Sequence, residues 1–391
     1  MFPRFTPQAK PPELAAMALA RSLLRRLTAL LLFGSVSVHS MNPHHLFIGT
    51  YTRDGSRGIY ALTLDAATGA LSTPTIAAEA KSPSFVALSP DHRFLYAVSE
   101  SEQMAAAFAV DPATGKLTSL QAPQSAGGVA PCHLAIDATD RTLLVANYHT
   151  GIVAALPIRA DGTLGPPGSV IQHTGSSVNP ARQSSPHVHS VTISPDNRHV
   201  IVCDLGLDKI FTYRLDPATA RLTPAEPPFT AAAPGAGPRH FKFSPDGRHA
   251  FAITEMGSTL TSYAYAAANG ALTPLDTRST LPPGFVGVSS CAEVRVHPNG
   301  RFVYGSNRGH DSIAAFAFDA ATGRLNLVEI TPTGGKSPRN FALTPDGAWL
   351  VAANQYSDSL TVFRVDPATG RLTRVAASAH ISTPVCVLFL D

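Results

Sequence analysis

The sequence predicts an all-β fold, a seven-bladed β-propeller with four-stranded antiparallel blades, and two observations support this prediction. A turn of the Ser-Pro-Asp-Gly type between two runs of alternating apolar residues recurs along the chain, for example in residues 82–100, 237–255 and 337–355. Turns of the Asp-Pro-Ala-Thr-Gly type, the first at Asp65, mark seven units spaced about 50 residues apart. Repetition at this period, built from short alternating strands, is typical of a β-propeller.

Each repeat unit supplies four strands. The innermost strand precedes the Ser-Pro-Asp-Gly turn, the second follows it, the third ends in the Asp-Pro-Ala-Thr-Gly turn, and the outer strand comes last. The turns themselves are structural, because proline presets φ, aspartate caps the turn and glycine accepts a positive φ. The first unit lacks an inner strand, since residues 46–51 (LFIGTY) match a second strand. We expect the chain end, Pro384 to Asp391, to fill this gap, so that residues 42–391 form one closed domain without free sheet edges.

Residues 1–40 differ from the repeats and are predicted to lie outside the propeller. An arginine-bearing start after Met17, an apolar run from Leu27 to Val38 and small residues before Met41 have the layout of a secretory signal. The run is too short for a comfortable membrane span, so we expect no stable membrane association. The alternative is translation from Met41. The protein is then expected in the cytoplasm, and otherwise it is exported through a signal at about residues 17–40.

Composition excludes several classes of protein. The 391 residues are 44% hydrophobic and 15% charged, which provides a large core and excludes a disordered chain. Thirty basic and 27 acidic side chains leave a net charge of +3, with no basic run outside the N-terminus, so nucleic acid is not an expected partner. The four cysteines are isolated and are predicted to be free and buried rather than part of a zinc site or a disulfide: Cys132, Cys203, Cys291 and Cys386.

Positions at which the repeats differ mark the candidate site. Aligned on the first turn residue, the inner strands start with Ser84, Cys132, His189, Arg239, Ala292 and Arg339. The second strands end with Glu100, Tyr148, Leu205, Glu255, Arg308 and Gln355. Because the two strands share a turn, the start of one and the end of the other meet at the open end of a hairpin, and all such ends face one side of the ring near its axis. Clustered arginines suit an anionic ligand. The alternative is a hydrated, hydrogen-bonded channel rim.

The chain resembles the seven-bladed lactonase family, which includes the propeller-type 6-phosphogluconolactonase and the carboxymuconate lactonizing enzyme. The resemblance spans residues 42–391 and is carried by GPRHF with a glutamate at the end of the next strand, by SNRGHDSI and by HVHSVTISPDN. It implies a catalytic set of His189 (or His187), Arg239, Glu255 and Arg308, no cofactor and no metal, and it favours a cytoplasmic location. Further candidate substrate-binding residues are His187, His240, Asn307, Arg339 and Asn354.

The resemblance implies hydrolysis of an anionic sugar lactone, with 6-phosphogluconolactone as the expected substrate. We expect Glu255 to act as the general base, with burial raising its pKa and Arg239 lowering it. An arginine would stabilise the carbonyl oxygen, and Arg308, assisted by Arg339, would hold phosphate. His189 would protonate the leaving ring oxygen.

Other functions stay open at this point. A cycloisomerase acting on a carboxylated diene would use the same arginines to bind carboxylates. A calcium-dependent gluconolactonase would need a ring of acidic ligands, and Glu100, Asp204 and Asn307 match such a ring only poorly. His187 and His189 could bind a metal ion together, but no third ligand of matching spacing is found. A binding propeller without chemistry would fit the signal-like N-terminus but would not explain the clustered arginines. No GxSxG, HExxH, Walker or GxGxxG motif occurs.

Overall fold

Seven antiparallel sheets make up the chain in the computed structural model, which describes residues 1–4, 6 and 43–390. The predicted N-terminal segment, residues 1–40, lies outside the described residues apart from 1–4 and 6. No helix in the described part of the chain is long and apolar enough to cross a membrane.

The strands follow one another blade by blade. The first blade contains β1 (His44–Thr50), β2 (Gly58–Leu64) and β3 (Thr75–Glu79). The second contains β4 (Phe85–Leu88), β5 (Phe94–Ser99), β6 (Met104–Val110), β7 (Leu117–Ser119) and β8 (Gln124–Ser125). The third contains β9 (Pro131–Ile136), β10 (Thr142–Asn147), β11 (Ile152–Pro157) and β12 (Ser169–Gln172). The fourth contains β13 (Val188–Ile193), β14 (His199–Asp204), β15 (Lys209–Asp216) and β16 (Arg221–Ala231).

The remaining blades repeat this plan. The fifth contains β17 (Pro238–Phe243), β18 (His249–Thr254), β19 (Thr259–Ala266) and β20 (Ala271–Ser279). The sixth contains β21 (Ser290–Val296), β22 (Phe302–Arg308), β23 (Ser312–Asp319) and β24 (Arg324–Pro332). The seventh contains β25 (Pro338–Leu343), β26 (Trp349–Asn354), a 3₁₀ turn (Gln355–Ser357), β27 (Ser359–Val365) and β28 (Leu372–His380). The last strand is β29 (Pro384–Phe389).

The ring closes through the first blade, as predicted. Its sheet has the order β29-β1-β2-β3, with β29 antiparallel to β1 and Ile48 opposite Val387. The N–H of Leu390 donates to the carbonyl of His45 at 2.8 Å, which extends the pairing to the end of the strand. The second blade departs from the plan, because its outer strand is divided into β7 and β8, both paired with β6. Pro123 lies between the two pieces and has no N–H to donate to a sheet.

Aromatic side chains join neighbouring blades through the Asp-Pro-Ala-Thr-Gly turns. The indole N–H of Trp349 in the seventh blade donates to the carbonyl of Ala66 in the first at 3.0 Å. The hydroxyls of Tyr96 and Tyr304 donate to the carbonyls of Gly162 and Gly370, each in the turn of the following blade. These contacts surround apolar side chains buried between sheets. The recurring turn therefore also serves as a docking point between blades.

Candidate active site

An irregularity in strand pairing repeats where the inner strands begin. In the fifth blade Pro238 lies opposite Thr254 and His240 opposite Ile253, so Arg239 is an additional, unpaired residue. His189 and Arg339 occupy the same position in the fourth and seventh blades, and Cys132 does so in the third. Such a bulge breaks the alternation of a strand and redirects a side chain. The repeated bulge therefore falls at the positions at which the repeats differ in sequence.

Glu255 is bound by three arginines at the open end of the fifth blade. Nε of Arg239 donates to Oε2 of Glu255 at 2.9 Å across the first hairpin of the blade. Nη2 of Arg308, from the sixth blade, lies 2.8 Å from the same oxygen. Nη2 of Arg182 donates to Oε1 at 2.7 Å. We call these four residues the Glu255 cluster.

Besides pairing with Glu255, the guanidinium groups of Arg239 and Arg308 donate to backbone carbonyls. Arg239 is 2% exposed, and its Nη1 donates to the carbonyl of Ala292. Nη2 of Arg308 donates to the carbonyl of Cys291 at 2.9 Å, and its Nε donates to that of Ser290 at 3.4 Å. Arg239 and Arg308 are thus both held by β21, the first strand of the sixth blade.

Electrostatics keep Glu255 ionised. Burial acts to raise the pKa of its carboxyl, but the charges of Arg308 and Arg239 outweigh burial and bring this pKa well below its usual value of 4.5. Burial and the charges of Arg308 and Arg339 lower the pKa of Arg239 to about 9, which leaves it charged at neutral pH. Of the two expected influences on the pKa of Glu255, burial and the neighbouring arginines, the arginines have the larger effect. The carboxylate is therefore a weak base, and its protonated form is a strong acid.

The rings of His189 and His240 pack together next to the Glu255 cluster. His189 is 4% exposed, and its ring centroid lies 5.3 Å from that of His240 and 5.4 Å from that of Tyr148. Burial, followed by the charges of Arg239 and His240, lowers the pKa of His189 well below 6.5. The imidazole is therefore neutral at neutral pH. An imidazolium is therefore disfavoured at this position, which does not favour the expected role of His189 as the acid that protonates the leaving oxygen.

His240 lies between Arg239 and a second buried carboxylate, Glu293. Its Nε2 lies 3.2 Å from Nη1 of Arg239, and its Nδ1 lies 3.2 Å from Oε1 of Glu293. Its ring also packs against His133, with centroids 5.0 Å apart. His240 is 3% exposed and is in contact with both Arg239 and Glu293, which suits a residue that positions Arg239.

Arg182 and Tyr148 form a side of the site that the repeat comparison does not predict. Arg182 lies in the loop between β12 and β13, where no repeat position corresponds to it. Its Nη2 lies 3.2 Å from the hydroxyl of Tyr148, on whose ring His187 is stacked with centroids 4.5 Å apart. Nδ1 of His187 donates to the carbonyl of Tyr148 at 3.0 Å. The position of Tyr148, at the end of β10, was the one available sequence signal for this side.

Two expected substrate-binding residues point into their blades. The amide of Asn307 donates to the carbonyl of Thr280 at 2.9 Å and to Oγ of Ser312 at 3.1 Å, and its Oδ1 accepts from the Thr280 hydroxyl. The amide of Asn354 donates to Oγ1 of Thr361 at 3.0 Å. Both side chains are fully buried. This corrects the sequence-based assignment, because each asparagine ties the second strand of a blade to neighbouring segments.

Possible metal ligands are dispersed. Oδ2 of Asp204 lies 2.7 Å from Nδ1 of His173, while Oδ1 accepts backbone N–H groups, so Asp204 is committed to the fourth blade. Glu100 accepts from the hydroxyl of Tyr51 at 3.0 Å. Within the described residues no group of three or more His, Cys, Asp or Glu side chains is arranged to bind a metal ion. All four cysteines are free and buried, as predicted.

Arg339 is not among the described arginines that form an ion pair with Glu255, which are Arg182, Arg239 and Arg308. Its guanidinium lies 5.6 Å from the ring centroid of Tyr51, and it lines a pocket with Tyr51 and Glu100. Its charge acts on the cluster, since it contributes to the lowered pKa values of Arg239 and Arg308. Of the predicted arginines, Arg239 and Arg308 therefore bind Glu255, whereas Arg339 lines the pocket with Tyr51.

Comparisons with known proteins identify the family. A family model described as a seven-bladed β-propeller lactonase matches residues 45–389. The chain is 37% identical over 346 residues to a 6-phosphogluconolactonase of Bacillus subtilis, covering 88% of this chain and 97% of that protein.

Solved structures agree with this result. A periplasmic gluconolactonase of Pseudomonas aeruginosa superposes with a TM-score of 0.85 and 36% identity, covering 90% of this chain and 99% of the other. A putative 6-phosphogluconolactonase of Bacteroides fragilis gives a TM-score of 0.84 and 33% identity, covering 92% and 100%. The chain therefore belongs to the lactonase family of seven-bladed β-propellers, a family of carboxylic-ester hydrolases that open lactones.

Proposed function

We propose that the protein hydrolyses the ring ester of a sugar lactone at the Glu255 cluster, with 6-phosphogluconolactone as substrate and 6-phosphogluconate as product. The observation that carries this proposal is the binding of one carboxylate, Glu255, by Arg182, Arg239 and Arg308 at the open end of the propeller. The cluster holds a net positive charge, which suits a reaction that develops an oxyanion and ends in a carboxylate. The name of the Bacillus subtilis relative supports the choice of substrate.

The arginines supply donors for the carbonyl oxygen of the lactone. Within the described part of the chain, Nη2 of Arg239 and Nη1 of Arg308 make no hydrogen bond, whereas the other nitrogens of both groups are engaged. Donors fixed in this way stabilise a developing oxyanion, each commonly by about 3 kcal/mol. Because both guanidinium groups are already held by protein carbonyls, they need little reorganisation when the charge forms.

Glu255 carries the proton during the reaction. Its carboxylate accepts a proton from the attacking water as the new C–O bond forms, and the carbonyl electrons move to the oxygen held by the arginines. When the tetrahedral intermediate collapses, the bond to the ring oxygen breaks and protonated Glu255 returns the proton to the leaving alkoxide. The product acid then loses a proton to solvent. The low pKa of Glu255 favours the second transfer, and the intrinsic reactivity of lactones makes a weak base sufficient for the first.

The proposal is tested by a substrate panel with the purified protein and the Arg308→Ala variant. Initial rates are measured on 6-phosphogluconolactone, on glucono-1,5-lactone and on a carboxymuconate, each corrected for the uncatalysed reaction and repeated with EDTA. We expect lactone hydrolysis that resists EDTA and falls at least tenfold in the variant. Turnover of the muconate alone would establish the cycloisomerase alternative. Loss of activity with EDTA, restored by calcium, would require a metal-dependent mechanism, and no turnover of any substrate would indicate a binding propeller.

A further inference from the structure

A pocket of about 380 Å³ lies where the first, second and seventh blades meet. It lies beside the axis, because Arg339 starts the inner strand of the seventh blade and Tyr51 and Glu100 follow the ends of β1 and β5. Arg53 and Tyr356 complete the part of the lining that matters here. We call this cavity the Tyr51 pocket.

Two arginines flank one aromatic ring in this pocket. The guanidinium of Arg53 lies 4.9 Å and that of Arg339 5.6 Å from the ring centroid of Tyr51. Burial raises the pKa of Tyr51 to about 12, with Arg339 acting in the opposite direction, so the phenol is neutral at neutral pH and donates to Glu100. The hydrogen bond to Glu100 holds the ring, and both guanidinium groups lie within cation–π distance of it.

Neither arginine has an ionic partner. Among residues 43–390, no carboxylate lies within ion-pair distance of Arg53 or Arg339, whereas Arg182, Arg239 and Arg308 are all paired with Glu255. Glu100 is the one acidic residue of the pocket lining, and its carboxylate accepts from the Tyr51 hydroxyl. The lining of the Tyr51 pocket thus contains two arginines and one carboxylate, and N–H groups of Arg53 and Arg339 are available to an added anion.

Arg308 cannot easily take the role of anion holder that its sequence position suggested. Its guanidinium is bound to Glu255 and to the carbonyls of Ser290 and Cys291, so most of its donors are used within the protein. The planar fork of an arginine binds phosphate best when two of its N–H groups are free to donate in parallel. Arg53 and Arg339 meet this condition.

We propose that the Tyr51 pocket binds the phosphate of a phosphorylated sugar lactone, with Arg339 and Arg53 as its cationic contacts, while the ring ester lies at the Glu255 cluster. This inference rests on the proposed function, and it concerns substrate selection rather than the chemical step. In a 6-phosphorylated lactone the exocyclic carbon separates the phosphate from the ring ester, so the two groups need neighbouring but separate subsites. Arg339 occupies the bulge position at the start of β25 that Arg239 occupies at the start of β17, and it also lines the Tyr51 pocket, so we infer that the two subsites are neighbours at the axis.

The test compares two substrates that differ only in the phosphate. The variants are Arg53→Gln, Arg339→Gln and the double variant, and the control is Arg364→Gln, which removes an exposed guanidinium 5.8 Å from the ring of Trp349. We expect the ratio of kcat/KM for 6-phosphogluconolactone to that for glucono-1,5-lactone to fall roughly 10- to 100-fold in the double variant, mainly through KM. The control should keep the ratio of the unaltered protein.

Three outcomes separate this inference from the proposed function. If both lactones are hydrolysed and the ratio is unchanged in the double variant, the phosphate is bound elsewhere and the inference is wrong. If both rates fall equally, the pocket binds hydroxyl groups common to the two lactones, which also overturns it. If the unaltered protein hydrolyses neither lactone, the proposed function fails, and the pocket is judged by calorimetric binding of inorganic phosphate alone. Binding that is lost in the double variant then supports an anion site, and retained binding overturns it.

Folding of the variants has its own check. Arg339 is largely enclosed, so its replacement by Gln could unfold the seventh blade. Arg339→Lys keeps the positive charge but removes the fork, and we expect it to retain part of the substrate ratio. Arg53 is exposed, so Arg53→Gln alone should fold and should lower the ratio in the same direction. An unchanged ratio in a folded Arg53→Gln and a folded Arg339→Lys would overturn the inference.

Discussion

Nε of Arg239 donates a 2.9 Å hydrogen bond to Oε2 of Glu255, joining the start of one strand to the residue after the end of its hairpin partner. The same oxygen receives Arg308 from the next blade, and Arg182 binds the other oxygen. A single carboxylate therefore gathers three cations from two blades and a loop. Its charge should be essential both for chemistry and for the stability of the fifth blade.

Replacing Glu255 by Gln keeps the size of the side chain and removes its charge. We expect kcat/KM on 6-phosphogluconolactone to fall roughly 100-fold or more, the usual scale of acid–base catalysis. The free energy of unfolding should fall by about 3 kcal/mol, because the buried Arg239 loses its counterion. Initial rates and urea unfolding measure the two effects. The control is Glu79→Gln, which removes an exposed ion pair with Arg57 and should change neither quantity appreciably. Undiminished activity of Glu255→Gln would refute the assignment.

The pH dependence follows from two lowered pKa values. The active form of Glu255 is the carboxylate, and its pKa lies well below 4.5, so activity should be lost only as the pH falls through that lowered value. His189 is neutral above its own lowered pKa and adds no transition near 6.5. We expect kcat/KM, corrected for spontaneous hydrolysis, to be constant from about pH 5 to pH 8. A fall in activity centred near pH 6.5 as the pH rises would show that an imidazolium takes part.

Arg182 should matter for activity more than for stability. Its side chain is 43% exposed and contacts Oε1 of Glu255 and the hydroxyl of Tyr148. For Arg182→Ala we expect kcat to fall about tenfold, while the free energy of unfolding changes by less than about 1 kcal/mol, because Arg182 is partly exposed and Glu255 keeps Arg239 and Arg308 as counterions. Stopped-flow kinetics and thermal unfolding provide the measurements. Arg221→Ala, on the outer strand β16, is the control, and equal activity of the two variants would count against a role for Arg182.

Asn307 should be a structural residue. Its amide donates to the carbonyl of Thr280 and to the hydroxyl of Ser312 inside the sixth blade. We expect Asn307→Ala to lower the free energy of unfolding by about 2 kcal/mol, since buried polar partners are left unpaired, and to leave KM within about twofold. Urea unfolding and steady-state kinetics decide the point. A tenfold rise in KM at unchanged stability would return Asn307 to the substrate site.

Ring closure by the last strand can be tested by moving it. A chain ending at residue 383 exposes the edge of β1 and removes a strand whose side chains are mostly buried, so we expect it to aggregate. A circular permutant that places residues 384–390 before His44 through a short turn should instead fold and keep its activity. Its design follows from the hydrogen bond between Leu390 and His45, which brings the two ends together. Far-UV circular dichroism and size-exclusion chromatography distinguish the results.

The sequence by itself determined the architecture and one edge of the site. Seven spaced turns and alternating apolar residues predicted the blades, and an unpaired strand at each end of the repeats predicted closure; the structure confirms both. The proximity of Arg239 and Glu255 also follows from sequence, because a shared turn sets which residues meet at the open end of a hairpin. Such relationships are local, and strand periodicity encodes them directly.

Tertiary structure decided the rest. Arg182 comes from a loop with no periodic pattern, and the bulges that redirect His189, Arg239 and Arg339 depend on one additional residue that alternation does not reveal. Asn307 and Asn354 stand one position before the aligned strand ends Arg308 and Gln355, yet their amide nitrogens donate to groups within the sheet and not to the site. The charge state of Glu255 is likewise a sum over residues distant in sequence. The direction of a side chain and the field around it depend on neighbouring blades, and only the closed ring brings these together.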